Sequence, residues 1–124
     1  MLEELQTLGH ALAVAAFRHR VLANDLANSA TPGFRAQDVV PFGEALASAL
    51  PLLQADPRHV GAPSPDGDGL GVLVVTTSLL DSPGGSGVDP DATMAAIAEN
   101  ALQYRALAGA ASLEVAIARR AITG

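Results

Sequence analysis

The chain predicts a mainly α-helical fold, with long N- and C-terminal helices pairing as an antiparallel coiled coil around a Pro/Gly-rich middle with little β structure. Three observations carry this reading. Apolar residues recur in alternating steps of three and four at both ends of the 124-residue sequence. Seven of the eight prolines fall between Pro41 and Pro90, where a helix cannot run through. The 49% hydrophobic fraction includes 25 alanines, with 3% aromatic residues and no Trp, so the chain has little material for a deep core of its own.

The first helix is expected from about Leu2 to Asn28. Its seam runs Leu5, Leu8, Leu12, Ala15, His19, Leu22 and Leu26, with His19 as the one polar intruder. The second begins at a clear start signal: Asp89 as N-cap, Pro90 at the first helical position and Asp91 in the first turn. Its seam runs Met94, Ile97, Ala101, Tyr104, Ala108, Ala111, Val115, Ala118 and Ile122, and Arg119 and Arg120 complement the dipole at its end. Each helix carries a second apolar stripe on its other side: Val14, Phe17 and Val21, continued by Asn24 and Asn28, on the first; Leu102, Ala106, Gly109, Leu113 and Ile117 on the second. A two-helix hairpin buries only one face of each helix, so two-faced helices imply further helices from other chains.

Three segments follow: 1–34, 35–88 and 89–124. In the middle one, residues 42–50 form a short helical candidate closed by Pro51. Val72 to Thr77 is the one convincing strand, expected to pair weakly with Val39-Val40 or with another subunit.

Composition excludes several functions. Seven arginines, no lysine and 13 carboxylates give a net charge of −6, so no basic footprint for nucleic acid or an anionic membrane exists. The absence of cysteine removes thiol catalysis, disulfides and zinc–thiolate sites. The start, Met1 to Leu5, is acidic and has no continuous apolar core, which argues against a cleaved Sec signal. The apolar run at Val72 to Val75 is far short of the ~20 residues that span a bilayer.

Chemical motifs fail on inspection. Asp66-Gly67-Asp68-Gly69-Leu70-Gly71 opens like an EF-hand loop, but Leu70 and Thr77 stand where an oxygen ligand and the bidentate Glu are needed. Gly84 to Asp89 matches the start of one calcium-binding β-roll repeat, and such repeats bind metal only between stacked copies. His10, His19 and His59 have no metal-ligand spacing, and Ser29 and Thr31 have no local base. The sequence therefore predicts no catalytic residue, no cofactor and no metal, and the chain is not expected to be an enzyme.

The specific feature lies where the first helix ends. Asn24 and Asn28 share one helix face, and each can both donate to and accept from a neighbouring backbone, which suits register fixing. Thr31-Pro32-Gly33-Phe34 then reads as a type II turn, with Pro setting φ at the second position and Gly supplying positive φ at the third. An ordinary stop-and-turn explains the Pro and Gly but not the paired Asn.

This segment resembles the signature of the bacterial flagellar axial proteins, the rod and hook family. Their N-terminal helix ends in Leu-Ala-Asn-Asn-Ile-Ala-Asn followed by Thr-Pro-Gly-Phe or Tyr. Asn24, Ala27, Asn28, Thr31, Pro32, Gly33 and Phe34 match, while Asp25 replaces the second Asn and Leu26 the Ile. Arg35-Ala36-Gln37-Asp38-Val39 with Phe42 and Glu44-Ala45-Leu46 looks like the continuation in a proximal-rod member. Met94-Ala95, Ala98-Glu99-Asn100 and Gln103 to Leu107 look like that member's last helix. Ser86-Gly87-Val88-Asp89 departs from the family's Asp-Gly-Asn turn, and the usual lysines of the final helix are missing, which keeps a sibling rod protein as an alternative. From another class, a soluble helical-hairpin adaptor or chaperone is the competing reading.

The resemblance implies a structural subunit of the proximal rod of the flagellar basal body, packing by coiled coils to transmit torque. Its implied partners are other copies, other rod proteins, inner-membrane ring and rod-adaptor components, and the type III export apparatus. It implies a location in the periplasmic rod, reached without a cleaved signal peptide. The expected roles follow: Leu5, Leu8, Leu12, Leu22, Leu26, Ile97, Tyr104 and Val115 form the intrachain seam. Phe17, Val21, Asn24, Asn28, Leu102, Leu113 and Ile117 meet other subunits, and Pro32, Gly33 and Phe34 set the exit angle of the chain.

Overall fold

The computed structural model describes residues 2–41, 72–77 and 85–124. In them, two long helices, α1 (Leu2–Ala27) and α2 (Pro90–Thr123), accompany two short strands, β1 (Gln37–Pro41) and β2 (Val72–Thr76). The helical candidate at 42–50, the acidic loop at 66–71 and His59 lie outside the described residues.

Helix α1 ends one residue before the expected Asn28, whose amide still reaches back to Asn24 O and Asp25 O at 3.1 and 3.0 Å. Helix α2 starts as its sequence dictates. Asp89 is extended, at φ −90° and ψ 111°, and its carboxylate accepts from the Asp91 and Ala92 amides, two of the donors that a helix start leaves unpaired. Removing that cap in Asp89→Ala costs about 1 kcal/mol by analogy with other caps. At the other end Gly124, with φ +83°, returns its amide to Arg120 O.

The strands pair antiparallel, with Gln37 opposite Thr76, Val39 opposite Val74 and Pro41 opposite Val72. The strand expected at Val72 thus finds the Val39-Val40 segment in its own chain. Pro41 closes β1 at its end, where a missing N–H is tolerated. Val39 and Val72 are buried, and Val72 borders Val14 and Arg18 of α1.

The turn after α1 is built as read. The Phe34 amide donates to Thr31 O at 3.2 Å, and Gly33 has φ +76°. The chain leaving this turn is stitched to the chain entering α2: the Gly33 amide donates to Gly85 O at 3.1 Å and the Gly87 amide to Phe34 O at 2.7 Å. A Cβ at Gly33 would meet nothing within 4 Å, so the demand for glycine there is purely conformational. Gly33→Ala is therefore expected to lose about 1–2 kcal/mol, the cost of a left-handed backbone in an L-residue. Urea unfolding followed by circular dichroism measures it, and no loss would mean that the turn relaxes to another form.

The helices pack on each other, with α1 also against β1. His10 and Ala11 lie across from Ala106 and Leu107, and Leu22 and Asp25 across from Ala92 and Thr93. The apolar side chains buried among the described residues are Ala15, Leu22, Val39, Val72 and Val88, a thin core in keeping with the alanine-rich composition.

Candidate interaction surface

Polar side chains are buried together with Leu22 where the elements meet. Among the described residues, Asn100 and Asp25 are the two largest fully buried side chains, each 1% exposed. Asn100 Nδ2 donates to Ala15 O at 2.9 Å across the two helices, and its Oδ1 has no partner among the described residues. Asp25 Oδ2 accepts from the Gln37 amide at 2.8 Å, and its Oδ1 likewise has none among the described residues. Helix α1 is fastened to β1 a second time by Arg18, whose Nε and Nη2 both donate to the Asp38 carboxylate at 2.8 Å, a bidentate fork.

The electrostatics of the two carboxylates diverge. Burial raises the Asp25 carboxyl above its ordinary range; the Gln37 amide only partly offsets this, and the nearby Asp38 charge adds to it. Burial pushes Asp38 the same way, but the Arg18 bond, the Val39 amide at 2.7 Å and the Arg18 charge together hold it below the ordinary range. The bond to Asp38 raises Arg18 further, against burial.

The signs predict opposite responses to acid. Asp38, with its folded pKa lowered, contributes stability that is present above the unfolded pKa of about 4 and lost as pH falls through the lower folded value. Asp25, with its folded pKa raised, opposes folding when ionised, and that penalty is relieved as pH falls through the raised value. Asp38→Asn should thus lose about 1–2 kcal/mol at pH 7, as expected for a part-buried charged bond, and progressively less as pH falls through the lowered folded value. Asp25→Asn keeps an acceptor for Gln37 and should match or exceed the parent at pH 7. Urea midpoints measured from pH 2 to 7 test both; a loss for Asp25→Asn at neutral pH would contradict the raised carboxyl.

Of the expected seam residues, Leu22 is buried, and Leu5, Leu8, Leu12, Leu26 and Ile97 are half-buried. Tyr104 is 43% exposed, beside His19, Ala15 and Asn100, and Val115 is 55% exposed. Of the residues assigned to other subunits, Leu102, Leu113 and Ile117 are 70%, 62% and 48% exposed. Asn24 is exposed, while Phe17, Val21 and Asn28 are half-buried, and Arg20 sits over the Phe17 ring at 5.3 Å from its centroid. Pro32 and Gly33 are exposed and Phe34 is half-buried.

The asparagine pair works within the chain. Asn28 Nδ2 donates to Asn24 O at 2.8 Å and to Asn24 Oδ1 at 3.3 Å, and its own Oδ1 accepts from Thr31 at 3.2 Å. Ser86 Oγ donates to Asn28 O at 3.2 Å and accepts from the Val88 amide, so the lead-in to α2 is moored on the end of α1. Sequence reasoning missed Asp25, Asn100 and the Arg18–Asp38 pair as contact residues. The available signal was a neighbouring heptad pattern, with Arg18 and Asp25 in place of His19 and Leu26 beside Ala15 and Leu22, and Thr93, Asn100 and Leu107 one residue ahead of Met94, Ala101 and Ala108, which a purely apolar criterion passes over.

Among the described residues no cluster of three or more His, Cys, Asp or Glu is arranged to hold a metal, and no helix is long and apolar enough to cross a membrane. Fold and surface together define a class: a mainly helical chain whose polar-pinned helix pair leaves a stripe of large apolar residues uncovered. Over 106 residues, 83% of this chain and 80% of its relative, the sequence is 33% identical to the flagellar basal body rod protein FlgB of Bacillus subtilis (strain 168). The chain belongs to the flagellar basal body rod protein FlgB family. No protein-family model matches it.

Proposed function

We propose that this chain is a structural subunit of the proximal rod of the bacterial flagellar basal body and catalyses no reaction. The observation that carries the reading is the kinship with the Bacillus rod protein over most of both chains. The uncovered Leu102, Leu113 and Ile117 stripe supports it, because large apolar side chains at helical spacing are the surface a polymer covers with its neighbours. Helices α1 and α2 act as an antiparallel coiled coil, a pairing consistent with Ala11 facing Leu107 while Leu22 faces Thr93. The subunit packs with copies of itself and other rod proteins, contacts the inner-membrane ring and rod-adaptor components, and transmits torque. It reaches the periplasmic rod through the type III export apparatus without a cleaved signal.

A deletion strain is expected to lack a rod beyond the inner-membrane ring and to be non-motile, and purified basal bodies are expected to contain this chain. Normal swimming in the deletion strain, or absence of the chain from basal bodies, would overturn the reading.

A further inference from the structure

The carboxyl of Asp25 lies where several features of the fold oppose its charge. It is 1% exposed. It sits in the last turn of α1, which holds no basic residue, and a helix C-terminus disfavours a negative charge. Oδ2 accepts from the Gln37 amide, and Oδ1 has no donor among the described residues. The charged side chains that line the same cavity are Asp38 of β1 and Asp89 at the start of α2. Around them α2 offers Ala92, Thr93 and Ala96, and Thr77 follows β2, none of them charged. On α1 itself, Arg18 is spent on Asp38. Burial, the helix end and like charges all favour the neutral acid.

The bond that Asp25 makes also ties down the two-stranded sheet. Gln37 begins β1 and stands opposite Thr76, the last residue of β2. Beside it the Thr77 amide donates to Ala36 O at 2.8 Å, so this end of the sheet is closed as well as tethered. The second polar tie from α1 to β1 is the fork from Arg18 to Asp38. By contrast, the Asn100–Ala15 bond joins the helices without touching either strand. The sheet can therefore loosen from α1 while the helices stay paired.

We propose that Asp25 is a proton-operated latch: the neutral acid seats the two-stranded sheet on α1, and ionisation loosens the sheet while the helix pair stays closed. The device belongs to the single chain and does not depend on the rod reading. Its working range follows from the two carboxyls that tie β1 to α1. Asp25, with its seated pKa raised, contributes seating that is complete below the free value of about 4 and lost as pH rises through the raised one. Asp38, with its seated pKa lowered, contributes seating that is present above about 4 and lost as pH falls through the lowered one. The sheet is held best near pH 4 and loosens on either side.

Two nearby amides report the carboxyls separately, because Gln37 donates to Asp25 and Val39 to Asp38. In NMR titrations of the full-length chain, the Gln37 amide shift should follow a midpoint above about 4 and the Val39 amide shift one below it. Hydrogen-exchange protection at Gln37, corrected for the intrinsic rate at each pH, should fall severalfold between pH 4 and pH 7. Over the same range, protection in the middle of α2 and the helical circular dichroism should hold. Asp25→Asn should abolish both the upper midpoint and the fall in protection. A Gln37 midpoint at or below about 4 overturns the proposal, as does constant protection in the parent chain. So does a fall that persists in Asp25→Asn, or helix protection lost in step with the sheet.

Discussion

Leu22→Ala is expected to lower the stability of the isolated chain by about 2–4 kcal/mol, the range for deleting a buried leucine side chain with partial collapse of the cavity. Leu22 is 4% exposed, and it is the largest of the buried apolar side chains among the described residues; the others are Ala15 and three valines. It sits where α1 meets Ala92 and Ala96 of α2, small residues that cannot move in to fill the space. Small domains have little stability in reserve, so a loss of this size corresponds to roughly 10 °C in Tm. The control is Leu102→Ala, because Leu102 is 70% exposed and its truncation should stay within about 0.5 kcal/mol in the monomer. Thermal and urea unfolding measure both. Equal effects would mean that Leu22 does not anchor the helix pair.

The second large effect is at Asn100, where charge and shape can be separated. Asn100→Asp sets a carboxylate against the Ala15 carbonyl oxygen in a position that is 1% exposed, and a loss of about 3 kcal/mol or more is expected at pH 7. The introduced carboxyl has its folded pKa raised, so its penalty is present above that value and relieved as pH falls through it. Protonated, it can donate to Ala15 O as the amide does. Asn100→Leu removes the amide and its unpartnered Oδ1 together, and is expected to leave stability nearly unchanged. Its effect falls on register, since a single buried polar residue in a helix seam selects one alignment over its neighbours. Disulfide trapping of helix alignments in cysteine-bearing variants should give one register for the parent and several for Asn100→Leu. A stable Asn100→Asp at pH 7 would contradict the interhelix bond.

Much of the architecture could be read from local signals. The start of α2 follows from Asp89-Pro90-Asp91, whose capping acceptor, fixed φ and acidic first turn act within four residues of one another. The turn at Thr31 to Phe34 is equally local, since proline and glycine set their own backbone angles. The face on which the helices meet was less legible. A search for apolar periodicity favours His19 and Leu26, whereas the observed contact takes Arg18 and Asp25, because strand β1 supplies the partners, Asp38 and the Gln37 amide, that let polar groups be buried there. The same holds for Asn100, whose acceptor lies 85 residues earlier in the chain.

The sequence by itself determined the two long helices, the Asp89 cap of α2, the turn that redirects the chain after α1, and the family to which the resemblance at Asn24 to Phe34 pointed. These depend on backbone propensities and side-chain reach within a turn or two. Only the tertiary structure decided which helix face is buried, that Gln37 to Pro41 pairs with Val72 to Thr76, and that Arg18, Asp25 and Asn100 pin the assembly of elements. Such polar contacts are stable only when a specific distant donor or acceptor arrives, and the identity of that partner is set by how the chain folds back on itself.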